Sequence, residues 1–186
     1  NTVYIGGGTP TTLKPAQLNR LIRYLKQNLD FSYCREFTVE AGRPDSITGE
    51  KLAVLKEQNV SRISINPQTM NEKTLRLIGR NHTAEQTVES FHLARELGFD
   101  NINMDLIIGL PNETDQDVNH TMQCIAELCP DNLTVHSLAL KRAARLSMFR
   151  EEYRDLVFES TEKTVGLTAG YAKRMGMEPY YLYRQK

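Results

Sequence analysis

The stretch from Thr83 to Pro111 reads TAEQTVESFHLARELGFDNINMDLIIGLP, and it carries the signals of one helix followed by one strand. Thr83 with Gln86 predicts a capping box at the start of the helix, and Gly98 stands where that helix should end. The run Asn101–Ile108 is short, apolar and bounded by turn residues, which is typical of a buried strand. The stretch therefore predicts a helix that leads directly into a strand of a sheet.

The same alternation extends towards both ends of the chain. Pro15 and Thr48 each precede an apolar run of helical spacing and predict two further helix starts. Six runs predict strands, and these are Thr2–Ile5, Glu36–Val39, Ser61–Ile65, Asn101–Ile108, Leu133–Leu138 and Glu178–Tyr183. Such alternation predicts an α/β fold of parallel strands, either an open doubly wound sheet or a (β/α) barrel. Six repeats fall short of a closed eight-stranded barrel, so we expect a partial barrel, a cut chain or both.

Composition limits the classes of partner. The 186 residues are 40% hydrophobic, which predicts one sizeable core. Lys+Arg and Asp+Glu both total 23, so no net charge attracts nucleic acid or a membrane surface. The sequence has no apolar run of about 18 residues, and Asn1 opens into a strand-like run rather than a leader. We expect a soluble, cytoplasmic protein without a nucleic-acid or membrane partner.

The three cysteines, Cys34, Cys124 and Cys129, are too few and too scattered for a disulfide framework. They also lack the C-x-x-C or C-x-x-x-C-x-x-C spacing of an iron-sulfur site. We therefore expect reduced, partly buried thiols and no metal ligands in this chain.

Ligands of either architecture bind beyond the carboxyl ends of the strands. The run Gly6–Pro10 follows the first strand, and its missing side chains would let a polar ligand approach the backbone. A plain tight turn is the alternative, and a phosphate site is less favoured because the lysine of a P-loop is absent. Glu40 ends the second strand and offers a carboxylate to a ribose diol or a cation, unless it is a solvated rim residue.

Four further polar residues lie near later strand ends. Gln68 offers an amide with both a donor and an acceptor, or is a turn residue. Arg80 closes a short helix and suits a carboxylate, or is a surface cation. Asp105 lies inside an apolar run and needs a partner, which could be a neighbouring basic side chain. His136 is expected to be a core or rim histidine rather than a catalyst.

The order and spacing of these positions resemble a known enzyme group. The matching segments are Gly6–Pro10, Glu40, Gln68, Arg80, Asp105–Pro111 and Ala139. Together they resemble radical S-adenosylmethionine (SAM) enzymes of the oxygen-independent coproporphyrinogen III oxidase family. The strings Arg62–Met70 and His136–Arg142 are most similar to HemZ-type coproporphyrinogen dehydrogenases. The resemblance implies a partial (β/α)6 TIM-like barrel, with residues 1–186 forming a radical SAM core domain from strand 2 to about strand 7, truncated at the first strand.

By the same resemblance, Gly7, Gly8 and Thr9 would contact the amino group of the SAM methionine. Arg80 would pair with the methionine carboxylate, for which a planar guanidinium is well suited.

The resemblance also implies how the nucleoside part of SAM would be held. Glu40 and Asp105 would accept hydrogen bonds from the ribose hydroxyls, with Gln68 nearby. Ile107 and Ala139 would lie against the adenine ring.

The activity implied is the oxidative decarboxylation of two propionates of coproporphyrinogen III to vinyl groups, which gives protoporphyrinogen IX in haem biosynthesis. In the family a reductant reduces a [4Fe-4S] cluster, and the reduced cluster cleaves SAM to a radical that takes hydrogen from the propionate. The family's Cys-x-x-x-Cys-x-x-Cys motif does not occur here and is expected upstream of Asn1. We therefore expect an enzyme at full length and an inactive chain by itself.

Two alternatives remain open from the residues. One is a radical SAM-like protein that binds or delivers haem without oxidase activity. The other is a (β/α) barrel enzyme that binds a phosphorylated metabolite at Gly6–Pro10.

Overall fold

The structure is a computed structural model that describes residues 1–138 and 162–180. Within these residues the strands are β1 (Thr2–Ile5), β2 (Glu36–Gly42), β3 (Arg62–Gln68), β4 (Ile102–Ile108) and β5 (Asn132–Ser137). The helices are α1 (Pro15–Asn28), α2 (Gly49–Glu57), α3 (Glu72–Leu77), α4 (Ala84–Glu96), α5 (Asp115–Leu128) and α6 (Glu162–Arg174). Short 3₁₀ helices follow β1 at Pro10–Thr12 and β2 at Pro44–Ser46.

The five strands form one parallel sheet in the order β1-β2-β3-β4-β5. Each strand therefore lies beside its neighbour in the chain, and the order never reverses. A doubly wound sheet has a reversal point where its two halves meet, whereas a (β/α) barrel follows chain order throughout. The fold is thus the barrel-type alternative of the α/β class, as the resemblance implied.

The chain forms two compact units. The first comprises Asn1–Pro67, Asn81–Asp105 and Pro130–Thr134, and the second comprises Gln68–Arg80, Leu106–Cys129 and Val135–Lys186. In the first unit the core is built from fully buried apolar side chains of the strands and helices, including Val39, Ile63, Leu18, Leu52 and Phe91. In the second unit α5 packs against α6, and the core contains Leu75, Leu106, Met122 and Ile125.

The predicted helix signals are confirmed. The Thr83 hydroxyl accepts a hydrogen bond from the Gln86 backbone N–H at 3.1 Å, and the Gln86 side-chain Oε1 accepts one from the Thr83 backbone N–H at 3.0 Å. Gly98 lies just beyond α4 with φ +84°, a conformation that glycine adopts without strain. Pro15 is the first residue of α1, and Thr48 caps α2.

Two strand ends differ from the prediction. β2 continues to Gly42 rather than ending at Val39, so Glu40 lies inside the strand and not at its terminus. β3 continues through Pro67 to Gln68. The sequence predicted shorter strands because glycine in β2 and proline in β3 weaken a strand pattern. In the structure β2 stays paired with β3 beyond an irregularity between Glu40 and Gly42.

The sixth predicted strand, Glu178–Tyr183, is not seen where it can be tested. Residues 178–180 have no strand, and residues 181–183 lie outside the described part of the chain. Pro179 has no backbone N–H to donate to a neighbouring strand, which disfavours pairing at this point. Among the described residues, none of the helices is both long enough and apolar enough to cross a bilayer.

Candidate cofactor site

The turn after β1 presents bare backbone. A Cβ atom added to Gly6 would lie 2.1 Å from Cε1 of Tyr4 and 2.9 Å from Oε2 of Glu40, so both of these side chains would have to shift to admit one here. Gly7 and Gly8 have φ of +80° and +65°, and a Cβ at either position would meet no atom within 4 Å. The turn is therefore closed on the side of Gly6 and open over the next two residues, where a ligand could reach the main chain.

Glu40 faces this turn from β2. Its Oε2 accepts a hydrogen bond from the Gly7 backbone N–H at 3.0 Å, and its Oε1 accepts one from Nδ2 of Asn66 at 2.9 Å. The Tyr4 hydroxyl lies 3.5 Å from the same carboxylate. Burial, followed by the negative charges of Glu40 and Asp105, raises the pKa of the Tyr4 phenol above its ordinary value. The carboxylate is half-buried next to the open backbone.

Asp105 lies on β4 and is also half-buried. Its Oδ1 accepts a hydrogen bond from Nδ2 of Asn103 at 2.6 Å. The prediction that this carboxylate needs a partner agrees with its contact to the Asn103 amide. The two predicted ribose acceptors, Glu40 and Asp105, thus belong to the same unit and both contact asparagine amides.

Three buried polar residues connect these carboxylates. The Ser64 hydroxyl donates to Oδ1 of Asn66 at 2.9 Å and accepts from Nδ2 of Asn103 at 3.0 Å. A continuous row of hydrogen bonds therefore runs from Glu40 through Asn66, Ser64 and Asn103 to Asp105. We call this set of five side chains the polar row.

The remaining predicted residues lie elsewhere. Gln68, Arg80 and Ile107 belong to the second unit, and Ala139 lies outside the described residues. Gln68 ends β3 with φ +69° and is 8% exposed. The half-buried Arg80 follows α3, where its backbone N–H donates to the Leu75 carbonyl at 2.8 Å. Their roles towards SAM, like those of Gly7, Gly8, Thr9, Glu40 and Asp105, stay predictions.

The second unit holds a polar cluster of its own. The Glu113 side chain is 9% exposed and accepts hydrogen bonds from the Thr69 hydroxyl at 2.6 Å and from Nδ2 of Asn71 at 3.0 Å. The Thr121 hydroxyl on α5 accepts the Met70 backbone N–H at 3.1 Å. The cluster fastens the segment after β3 to the start and middle of α5.

Asp117 reinforces the start of α5. Burial acts to raise the pKa of this carboxyl, but hydrogen bonds from Thr114 and the ion pair with Lys73, at 3.0 Å, outweigh it and hold the pKa below its ordinary value.

A family model is matched by residues 1–125, and its description is the Radical SAM superfamily. The chain belongs to the radical SAM superfamily. This result agrees with the barrel-type strand order and with a glycine turn directly after β1.

Relatives of this radical SAM chain carry names from haem metabolism. It is 45% identical, over all 186 residues, to the oxygen-independent coproporphyrinogen-III oxidase-like protein HemZ of Bacillus subtilis (strain 168), and it covers 37% of that protein. It is 42% identical over 144 residues to the heme chaperone HemW of the same organism, covering 75% of this chain and 37% of HemW. The chain thus spans well under half the length of the curated relatives it matches.

A solved structure supports the same grouping. Coproporphyrinogen III oxidase (HemN) from Escherichia coli, described as a radical SAM enzyme, matches with a TM-score of 0.79 and 31% identity. The match covers 94% of this chain and 40% of that one. The radical SAM fold is therefore established for the chain.

The first unit suits SAM, the general cofactor of the superfamily. A ligand with an ammonium group and hydroxyl donors needs acceptors, and the first unit supplies two half-buried carboxylates, of which Glu40 contacts the open glycine turn. The adenine and carboxylate contacts involve residues of the second unit and Ala139, and they stay predictions.

The cysteines do not suit an iron-sulfur cluster. Cys34 and Cys124 are half-buried and Cys129 is exposed, and none of the three forms a disulfide. The Cys34 thiol donates to the Glu36 carbonyl and the Cys129 thiol to the Ala126 carbonyl, both at 3.3 Å. The described residues include no group of three or more side chains that could hold a metal ion.

The buried members of the polar row were missed from the sequence, although a signal existed. The run Arg62-Ile63-Ser64-Ile65-Asn66 alternates polar and apolar residues, and Asn103 and Asp105 continue this pattern on β4. A search of strand ends found the two carboxylates, whereas a search of one whole strand face would also have found Ser64 and both asparagines. Glu113 gave no such signal because it lies in a loop, where periodicity does not apply.

Proposed function

We propose that this chain forms the SAM-binding part of an oxygen-independent coproporphyrinogen III oxidase of the HemZ type. The observation that supports the proposal is similarity to the HemZ protein over all 186 residues. SAM bound here would supply the hydrogen abstraction by which two propionates of coproporphyrinogen III become vinyl groups. A porphyrinogen is accordingly the proposed substrate. We assign no cluster ligand to the cysteines of this chain. A separate reductant would supply electrons to the full-length protein.

Residues of the first unit would hold the polar parts of SAM. The carbonyl and N–H groups of Gly7, Gly8 and Thr9 would meet the methionine amino end, since the first two positions are open. Glu40 and Asp105 would accept hydrogen bonds from the ribose hydroxyls. These assignments rest on half-burial, on charge and on the family resemblance.

Residues outside the first unit would complete the binding. Arg80 would pair with the methionine carboxylate, and Gln68 would lie beside the ribose. Ile107 and Ala139 would pack on adenine and exclude water from that face.

Calorimetry with S-adenosylhomocysteine, a stable analogue of SAM, tests the site in the full-length protein. We expect Glu40→Gln and Arg80→Ala each to weaken binding about tenfold, because each removes one charge-assisted hydrogen bond. Glu36→Gln is the matched control, since Glu36 lies on the same strand and contacts Arg62 at 3.5 Å. Unchanged affinity in both Glu40→Gln and Arg80→Ala would refute the proposed site.

A second candidate, a haem-binding or haem-delivery protein, is favoured by the 42% identity to the heme chaperone HemW. Anaerobic incubation of the full-length protein with coproporphyrinogen III, SAM and a reductant separates the two. Release of carbon dioxide with formation of protoporphyrinogen IX supports the oxidase. Haem binding without decarboxylation supports the carrier. Family membership favours SAM over phosphate at the glycine turn.

A further inference from the structure

The polar row is buried in its middle and open at its ends. Asn66, Ser64 and Asn103 are 7%, 4% and 4% exposed, whereas Glu40 and Asp105 are half-buried. Buried polar groups destabilise a fold unless they are hydrogen-bonded, so this row needs a complete set of partners. Its two ends are the carboxylates assigned above to the ribose hydroxyls.

Every side-chain N–H and O–H hydrogen of Asn103 and Ser64 is donated to another member of the row. Nδ2 of Asn103 has two hydrogens, and it has two acceptors, Ser64 Oγ at 3.0 Å and Asp105 Oδ1 at 2.6 Å. The single Ser64 hydroxyl hydrogen goes to Asn66 Oδ1 at 2.9 Å. Thr134 donates its hydroxyl to Asn103 Oδ1 at 3.0 Å. The hydrogens therefore point outward from Asn103 towards both carboxylates.

This pattern fixes the orientation of each amide. If the Asn66 amide were turned by 180°, its carbonyl oxygen would face Glu40 Oε1 at about the present 2.9 Å, and its NH2 group would face the Ser64 hydroxyl hydrogen. Two acceptors would oppose each other at one end and two donors at the other. Asn66 thus has one stable orientation, and the Glu40 carboxylate has one oxygen committed to it.

Glu40 is held by neutral hydrogen-bond donors. The donors in contact with it are the neutral Asn66 amide, the Gly7 backbone N–H and, at 3.5 Å, the Tyr4 hydroxyl. Tyr4 on β1 lies in the electrostatic field of Glu40, of Asp105 on β4 and of Arg62 on β3. A neutral donor orients a carboxylate while leaving its charge for a ligand, which an arginine partner would neutralise.

We propose that Asn66 and Asn103 are positioning residues that hold Glu40 and Asp105 as a matched pair of acceptors for a ligand with two adjacent hydroxyl groups. The identity of that ligand as the ribose of SAM rests on the proposed function. The row itself rests on its hydrogen bonds and burial. Neither asparagine touches the ligand, and each acts through the carboxylate that it orients.

Calorimetry of the full-length protein with two ligands tests the proposal. The ligands are S-adenosylhomocysteine and its 2′,3′-dideoxy analogue, which lacks both ribose hydroxyls. In Asn66→Leu we expect S-adenosylhomocysteine to bind about tenfold more weakly, because Glu40 loses its orientation. The dideoxy analogue should lose less than about twofold, since it makes no hydrogen bond that depends on Glu40. A merely structural role of Asn66 would weaken both ligands equally.

Asn132→Leu is the matched control. Nδ2 of Asn132 donates to Oδ1 of Asn101 at 2.8 Å, so the change removes a half-buried amide pair of the same unit without touching the row. We expect the two affinities to keep their wild-type ratio. Ser64→Ala serves as a second test if Asn66→Leu does not fold, because it removes the hydroxyl that orients Asn66 and leaves a smaller side chain.

A measurement without ligand separates this proposal from the proposed function. The side-chain amide protons of Asn66 and Asn103 should exchange with water far more slowly than those of the exposed Asn81 in NMR spectra. If the wild-type protein bound neither ligand, the SAM assignment would fail, and rapid exchange at Asn66 and Asn103 would overturn the row as well. An equal loss for both ligands in Asn66→Leu, or no loss for either, overturns the positioning role.

Discussion

Neighbouring glycines of the turn after β1 meet different requirements. Gly6 is needed for space, because an added Cβ would lie 2.1 Å from the Tyr4 ring. Gly7 is needed for its backbone, because its φ of +80° is strained for other residues while the space around it is open. The same amino acid therefore serves packing at one position and conformation at the next.

We expect Gly6→Ala to lower the free energy of unfolding by about 1–3 kcal/mol, because the methyl group overpacks against Tyr4 and pushes it off Glu40. Gly7→Ala should lower it by about 1 kcal/mol, as is usual for a left-handed residue. Urea unfolding gives both values, and calorimetry with S-adenosylhomocysteine should show the larger loss for Gly6→Ala. A Gly6→Ala protein as stable as the wild type would contradict the close contact.

The residues of the site were predictable in part. Glu40 and Asp105 were found because a charged side chain in or beside an apolar run needs an explanation. Their contact with asparagine amides was not foreseeable, since it depends on how the strands fold and pair. Sequence shows which residues share a face, but the partner of each depends on register between strands.

At the scale of elements, helix α5 is held by polar contacts as well as by its apolar face. Thr121 accepts the Met70 backbone N–H, and its hydroxyl lies 3.2 Å from Nδ2 of Asn71. Because Thr121 is 5% exposed, removing this acceptor leaves a buried donor without its partner.

Thr121→Val keeps the shape of the side chain and removes the acceptor, so we expect a loss of about 1–3 kcal/mol in the free energy of unfolding. Gln123→Ala, an exposed position on the same helix, should change it by less than about 0.5 kcal/mol. Denaturant unfolding of both variants provides the comparison. Equal stabilities would show that the cluster around Glu113 does not anchor α5.

Two glycines, one within α6 and one after its end, should respond in opposite ways to replacement by alanine. Gly166 lies within the helix, and an added Cβ would meet no atom within 4 Å, so Gly166→Ala should stabilise the protein by about 0.5–1 kcal/mol. Gly176 follows the helix with φ +76°, so Gly176→Ala should destabilise it by about 1 kcal/mol. Thermal unfolding measures both, and changes of the same sign would contradict the backbone description.

Helix starts were read from the sequence more accurately than strand ends. A helix start depends on a few adjacent residues, such as Thr83 with Gln86, and this chemistry is local. A strand end depends on whether the neighbouring strand continues, which is why β2 and β3 run beyond Val39 and Ile65. The choice of barrel-type order over a doubly wound sheet also required the strand order itself.

At the scale of the whole molecule, titratable groups bound the pH range of stability. Hydrogen bonds lower the pKa values of Asp30 and Asp117 below their ordinary value of 3.8. These two carboxylates therefore stabilise the folded state above pH 3.8, and this stabilisation is lost as the pH falls through their folded-state pKa values. Burial raises the pKa values of Tyr4 and Cys124 above their ordinary values of 10.0 and 9.0. Their contribution to the free energy of unfolding is therefore present below those pH values and is lost as the pH rises through the folded-state pKa values.

We therefore expect the Tm to be nearly constant between about pH 5 and 8 and to decline on both sides. In Asp117→Asn the Tm at neutral pH should be lower, and the difference from the wild type should shrink below about pH 4. Scanning calorimetry across the range checks both statements. A constant difference from pH 7 down to pH 2 would mean that Asp117 contributes nothing through its charge.

The polar row has a consequence for proton movement. Asparagine amides neither release nor take up protons at physiological pH, so a proton that reaches Asp105 cannot pass through Asn103 and Asn66 to Glu40. The row transmits position but is not a proton wire. The row can therefore fix the orientation of both carboxylates without coupling them by proton transfer.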